Sequence, residues 1–176
     1  MPDTAVVTLN ALDESALGKE LLICTPSRTW ATAVLSARPY ADREDLLAAA
    51  AAAWRSMTLD DVAAALENYL PLSAPPDSAH AAAEHGALVA SSAGRLTLLR
   101  QRESRYRARF GFPVVIAAKG LTLDSILAEI DRRVTNDRAD ELVVATRHMV
   151  AIGEGRIATL IALCEGPGRS AIHSSR

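Results

Sequence analysis

The sequence predicts an all-α fold, a single-domain bundle of about seven to nine helices, and two observations carry that expectation. Hydrophobic residues make up 49% of the 176-residue chain but aromatics only 4%, so the apolar content is mostly Ala, Leu and Val. Alanine favours helix and adds little bulk, which suits closely packed helices. Helix-starting signals also recur along the chain, whereas strand-like alternation is scarce.

The elements follow in order. Asp13 caps a helix to about Ile23, and Ser27 caps a second, through Trp30, Val34 and Leu35, that ends before Pro39. A third, alanine-dense helix runs from about Asp42 to Ser56. Thr58 with Asp61 resembles a capping box, with Asp in place of the usual Glu or Gln, and opens a fourth helix to Tyr69. Pro71, Pro75 and Pro76 mark 70–78 as a loop. Helix resumes near Asp77 or Ser78, breaks around 91–94, and resumes through Tyr106. The apolar run Val114 to Ala118 is too short to assign by periodicity, so an extended segment and the first turns of a helix both fit. Thr122 caps the next helix, with Ile126, Leu127 and Ile130 on one face. Asp137 caps the last, reaching about Leu163 with weak points at Gly153 and Gly155. The Gly/Ser-rich residues 165–176 read as a flexible tail, which leaves 1–164 as the helical domain.

A net charge of -2 with no long run of one sign argues against nucleic acid or an anionic membrane as the main partner. The first ten residues lack the basic-then-apolar pattern of a secretory signal, and no apolar run approaches the roughly 20 residues that span a bilayer. The cytoplasm is the expected location. Cys24 and Cys164 stand far apart and no Cys/His cluster has metal-ligand spacing, so reduced thiols and no metal site are expected. Nucleophile-elbow, zincin, dinucleotide and phosphate-loop motifs are absent from the sequence.

Two positions stand out chemically. Leu142, Met149, Arg156 and Leu163 are seven apart, with Ile152 and Leu160 beside them, so Arg156 falls within an apolar stripe. Such an arginine either faces a cavity, where its fork suits a carboxylate, or pairs with a structural acid or snorkels to the surface. Glu84 is flanked by Ala81, Ala82, Ala83, Ala87 and Leu88. There it is either an acid or base with a raised pKa or part of a solvated face of an Ala-rich helix. His85 is the nearest group able to exchange protons near neutral pH; His80 is close by, and His148 lies on the last helix.

An ordered set of residues adds a resemblance. Leu9-Asn10, then Cys24-Thr25-Pro26-Ser27-Arg28-Thr29-Trp30-Ala31, then Arg38-Pro39-Tyr40, is similar to the opening of bacterial 2-oxo-4-hydroxy-4-carboxy-5-ureidoimidazoline (OHCU) decarboxylases. Trp54, Met57 and Asp61 resemble the segment before that family's catalytic motif. Tyr106, Arg109-Phe110-Gly111-Phe112 and Gly120 resemble its Tyr-x-x-Lys-Phe-Gly-Phe block, and Arg133-Val134-Thr135-Asn136-Asp137 its Arg-Leu-x-Asn-Asp block. Ile152 to Leu160, with Arg156 inside, is similar to its Ile-Thr-x-Leu-Arg-Leu ending. The resemblance spans about residues 8 to 163. It implies an all-α fold, a homodimer, no metal or organic cofactor, and a reaction of urate breakdown that removes carbon dioxide and protonates one face to give (S)-allantoin.

The resemblance also implies site residues. Arg156 matches the family's substrate-binding arginine, and Phe112 falls among its substrate-binding positions. Glu84 matches the glutamate of its Ser-x-x-Glu-Gln motif, with Ala81 at the serine and His85 at the glutamine. The main departure is at the His-Pro-x-Ile-Gly motif, where this chain reads Tyr69-Leu70-Pro71-Leu72-Ser73. Tyr69 stands for the catalytic histidine, and a phenol is a poor base at neutral pH although it can donate a proton. Three expectations follow. The first is a cofactor-independent lyase acting by proton transfer on a different small carboxylate substrate, decarboxylating, isomerising or cyclising it, in a setting such as specialised biosynthesis. In that enzyme Glu84, Tyr69 and His85 handle protons and Arg156 holds the anion. The second is a genuine OHCU decarboxylase with His85 supplying the imidazole. The third is a non-catalytic anion-binding or partner protein.

Overall fold

A computed structural model of the chain describes residues 3–75 and 93–165, which hold eight helices and no strand. They are α1 (Thr4–Ala11), α2 (Glu14–Cys24), α3 (Arg28–Ser36), α4 (Arg43–Ser56), α5 (Leu59–Glu67), α6 (Ala93–Phe110), α7 (Leu123–Arg133) and α8 (Arg138–Glu165). The predicted caps are in place. Asp13 accepts from the Ala16 amide at 2.7 Å, Ser27 from Trp30 at 3.2 Å, Thr122 from Ser125 at 3.2 Å and Asp137 from Asp140 at 2.9 Å, and Asp42, expected only as a helix start, accepts from Asp45 at 2.8 Å. Thr58 and Asp61 close the box reciprocally, at 3.1 Å and 3.0 Å, so the shorter Asp reaches as Glu would. One helix was not expected: α1, capped by Asp3, with Ala5, Val6 and Leu9 buried. The helix predicted from Asp77 or Ser78 and the tail beyond residue 165 lie outside the described residues.

The chain divides into two compact units, 1–61 with 152–176, and 62–151, so α5 and α8 each contribute to both. In the first, the core centres on Trp30, wholly buried, whose indole N–H donates to the Ala50 carbonyl at 3.1 Å and whose ring lies 5.9 Å from that of Trp54. Leu9, Leu21, Leu46, Leu160 and the separate buried thiols of Cys24 and Cys164 pack in the same core. Asn10 exchanges two hydrogen bonds with the Tyr40 backbone, at 2.8 Å and 3.0 Å, and Arg38 donates to the carbonyls of Asn10 and Leu12. The family-like Leu9-Asn10 and Arg38-Pro39-Tyr40 pieces thus lock to each other.

In the second unit α6 and α7 run side by side in one direction, tied by ion pairs from Arg95 to Asp124 and from Arg102 to Asp131. The return between them, through Val114, Val115 and Ile116, is buried and not helical, so the short apolar run is not the first turns of a helix. Gly111, at φ +87°, ends α6 with its amide on the Arg107 carbonyl at 2.8 Å, a left-handed turn that a side chain would strain.

Candidate functional site

Arg156 sits on α8 in the first unit and is half-buried rather than central to the buried stripe. The buried positions there are Ile152, Gly153, Ile157, Leu160, Ile161 and Cys164, and Leu163 is 44% exposed. The Arg156 guanidinium donates one N–H to the Ile23 carbonyl at 2.8 Å, near the C-terminal end of α2. A cation is favoured at such an end, and the bond fixes the direction of the fork. One turn earlier Gly153 lies against the buried Thr25. A Cβ built there would stand 2.7 Å from Thr25 Oγ1.

Tyr69 belongs to the second unit, in the turn that leaves α5. Its amide donates to the Leu66 carbonyl at 3.2 Å, and its hydroxyl oxygen is buried. After it the chain makes a turn, closed by Ala74 N–H on the Pro71 carbonyl at 2.9 Å with Leu72 buried beneath. Glu103 of α6 grips that turn. One carboxylate oxygen accepts the Ser73 amide at 3.2 Å and the other accepts the Ser73 hydroxyl. Only 6% of Glu103 is exposed. Burial raises its pKa, against the Ser73 and Leu72 donors and the charge of Arg100, which favour the carboxylate. Glu103 and Ser73 also wall a cavity of about 320 Å³ with Pro71, Arg100, Arg107 and Pro113. The sequence reading passed over Glu103, although it lies in register with the buried Leu99, Tyr106 and Phe110.

Phe112 is packed in an aromatic cluster, its ring 6.0 Å from that of Tyr106 and 6.1 Å from that of Phe110, with the Arg138 guanidinium 5.7 Å from its centre. Deeper still, Arg133 and Glu141 have no exposed side-chain surface. Arg133 donates to Glu141 at 2.6 Å and 2.9 Å, to the Val115 carbonyl at 2.8 Å and to the Tyr106 hydroxyl at 3.2 Å. Glu141 also accepts from Asn136, at 2.8 Å, and from Tyr106. The two family-like blocks of this unit therefore meet in a buried network that holds the fold.

His148, on the same unit's part of α8, accepts the Ala117 amide at Nδ1 at 3.3 Å, and its Nε2 lies 3.9 Å from Glu129. Burial and then the Arg133 charge hold its pKa below the usual value, Glu129 and Glu141 opposing. Glu84, His85 and Ala81 lie outside the described residues. Among the described residues no group of three His, Cys, Asp or Glu side chains could hold a metal, and no helix is long and apolar enough to cross a membrane.

The model of the family described as OHCU decarboxylase matches residues 10–158. The chain belongs to that family. A human relative, named "Putative 2-oxo-4-hydroxy-4-carboxy-5-ureidoimidazoline decarboxylase", is 33% identical over 144 residues, which cover 74% of this chain and 80% of the relative. The 2-oxo-4-hydroxy-4-carboxy-5-ureidoimidazoline decarboxylase of Amia calva is 31% identical over 144 residues, covering 74% and 79%. Among solved structures, OHCU decarboxylase in the presence of (S)-allantoin superposes with a TM-score of 0.73 at 24% identity, over 81% of this chain and 97% of that one. An (S)-allantoin synthase superposes at 0.65 and 20% identity, over 88% of this chain and 53% of that one. These structural likenesses bear out the all-α fold, and the family supplies a decarboxylase scaffold.

Proposed function

We propose that the chain is a cofactor-independent carbon–carbon lyase that decarboxylates a small carboxylate-bearing substrate other than the family's ureide. The observation that carries this reading is Tyr69, a phenol standing where the resemblance puts a catalytic imidazole, in a chain that keeps the family frame and Arg156. Arg156 holds the substrate's anionic group. Loss of carbon dioxide leaves a carbanion that needs only a proton and no electron acceptor, and Tyr69, Glu84 and His85 are the groups that supply and relay it. Ala81 and Phe112 belong to the substrate-binding positions. Isomerisation or cyclisation through the same carbanion would use the same groups, and specialised biosynthesis is a fitting setting. The assembly is a homodimer working in the cytoplasm.

A second reading, a genuine OHCU decarboxylase, is favoured by the name of the Amia calva relative at 31% identity. One assay separates the two. Freshly generated ureidoimidazoline is mixed with the protein in stopped flow and the handedness of the allantoin is read. No acceleration over spontaneous decay is expected; rapid, one-handed (S)-allantoin would overturn the changed substrate and establish the second reading. With whichever substrate is turned over, Glu84→Gln and Tyr69→Phe should each lower kcat about 100- to 10,000-fold. Full activity of both variants would remove them from the chemistry.

A further inference from the structure

Tyr69 follows the end of α5, where its amide donates to the Leu66 carbonyl. Only Leu70, 48% exposed, separates it from the Pro71–Ala74 turn. Whatever fixes that turn therefore fixes the second end of the Tyr69 segment. Among the described residues three things hold it: the Ala74-to-Pro71 bond within the turn, Leu72 buried beneath it, and Glu103. The first is local and survives if the turn moves as a body, and the second is non-directional. Among the described residues it is the carboxylate of Glu103 that ties the turn to a rigid helix in a defined orientation, because each of its oxygens takes one donor of the same residue, Ser73 N–H and Ser73 O–H. An acid with 6% exposure and, among the described residues, no arginine or lysine bonded to it is an expensive way to hold a loop for stability's sake.

We propose that Glu103 is a positioning residue for Tyr69, gripping the Pro71–Ala74 turn through Ser73 so that the phenol is held where the proton transfer needs it. This rests on the reading of Tyr69 as a proton-handling group. Displacement of a reacting group by about 1 Å costs on the order of 100-fold in rate, and that loss appears in kcat rather than in substrate binding. Ser73→Ala removes the hydroxyl half of the grip, Glu103→Ala removes all of it, and Glu103→Gln keeps one acceptor oxygen for Ser73.

Two readouts test the proposal on the full chain. In turnover, Glu103→Ala should lose about 10- to 100-fold in kcat with KM changed less than about 3-fold, Ser73→Ala should follow in the same direction, and Glu103→Gln should recover part of the loss. The second readout needs no substrate. The chain has three tyrosines, Tyr40, Tyr69 and Tyr106, so labelling with 3-fluorotyrosine gives three fluorine resonances, that of Tyr69 assigned by its disappearance in Tyr69→Phe. Ser73→Ala, whose change lies away from α6 itself, should shift or broaden the Tyr69 resonance and leave those of Tyr40 and Tyr106 in place. A Tyr69 resonance unmoved by Ser73→Ala overturns the proposal, and so do three resonances moving together, which would mean general loosening. If the resonance moves as expected but Tyr69→Phe turns over substrate at full rate, the grip stands as geometry and it is the catalytic reading of Tyr69 that fails.

Discussion

Arg133 and Glu141 are each fully buried, so neither charge can be moved to water if its partner is lost. Breaking such a pair from one side leaves an uncompensated charge and is worth about 3–5 kcal/mol. Glu141→Ala is expected to destabilise by that amount in urea unfolding, since Arg133, Tyr106 and Asn136 all lose an acceptor. The double variant Arg133→Met, Glu141→Leu should recover part of the loss despite removing more hydrogen bonds. A single variant losing less than about 1 kcal/mol would show that water reaches the pair. The rule that a polar residue inside an apolar stripe is meaningful was available from the sequence, and at Arg156 it left a buried and a surface-reaching side chain both open, where the structure has it half-buried. Positions seven apart drift by about 20° per heptad on a straight helix, so the row from Leu142 through Arg156 turns outward and Leu163 ends 44% exposed. The same rule at the tighter spacing of Leu99, Glu103, Tyr106 and Phe110, or of Ile126, Ile130 and Arg133, points to side chains that are buried.

At the scale of elements, helix starts were legible because an N-cap is a contact between residues two or three apart, and Asp13, Ser27, Thr58, Thr122 and Asp137 all cap as their spacing implies. α1 was not, because its β-branched Thr4, Val6, Val7 and Thr8 have modest helix propensity and its stability comes from burying Ala5, Val6 and Leu9. α8 overrides its two glycines for the same reason and runs unbroken from Arg138 to Glu165. Those glycines differ in what surrounds them, and a matched pair of substitutions separates the effects. Around Gly155 an added Cβ meets nothing within 4 Å, so Gly155→Ala should stabilise by up to about 1 kcal/mol through helix propensity. At Gly153 the same methyl would stand 2.7 Å from Thr25 Oγ1, so Gly153→Ala should lose about 1–3 kcal/mol despite the propensity gain. Adding Thr25→Ala should restore most of that loss, because the Thr25 hydroxyl is buried and forms no hydrogen bond among the described residues. Thermal midpoints of the four proteins decide it, and equal shifts for the two glycines would mean that α8 and residue 25 move apart freely.

At the scale of the whole molecule, two of the described groups, the partly buried His148 and the buried Glu103, pull stability against pH in opposite senses. His148 has its folded pKa lowered, so the unfolded chain binds the extra proton first. Its contribution is fully present above the unfolded value of about 6.5 and is lost as pH falls through the folded one. Glu103 has its folded pKa raised from the ordinary 4.5, so the folded chain holds the proton longer; its contribution is present below that value and is lost as pH rises through the folded one. The surface acids with lowered values, the half-buried Asp3 and Asp61 and the exposed Asp131, come into play only below about pH 4, where their small contributions are lost. Above about pH 4.5 the Glu103 slope and below about pH 6.5 the His148 slope therefore have opposite signs, so the wild type should show a shallower dependence than a variant lacking either group. His148→Gln should uncover the Glu103 slope, with unfolding midpoints falling as pH rises through that window. Glu103→Gln should uncover the His148 slope, with midpoints falling as pH drops. Urea midpoints of the three proteins across the window measure both. If the two variants keep parallel profiles, neither group titrates differently in the folded chain, and the partial burial of His148 and the near-complete burial of Glu103 carry no electrostatic penalty.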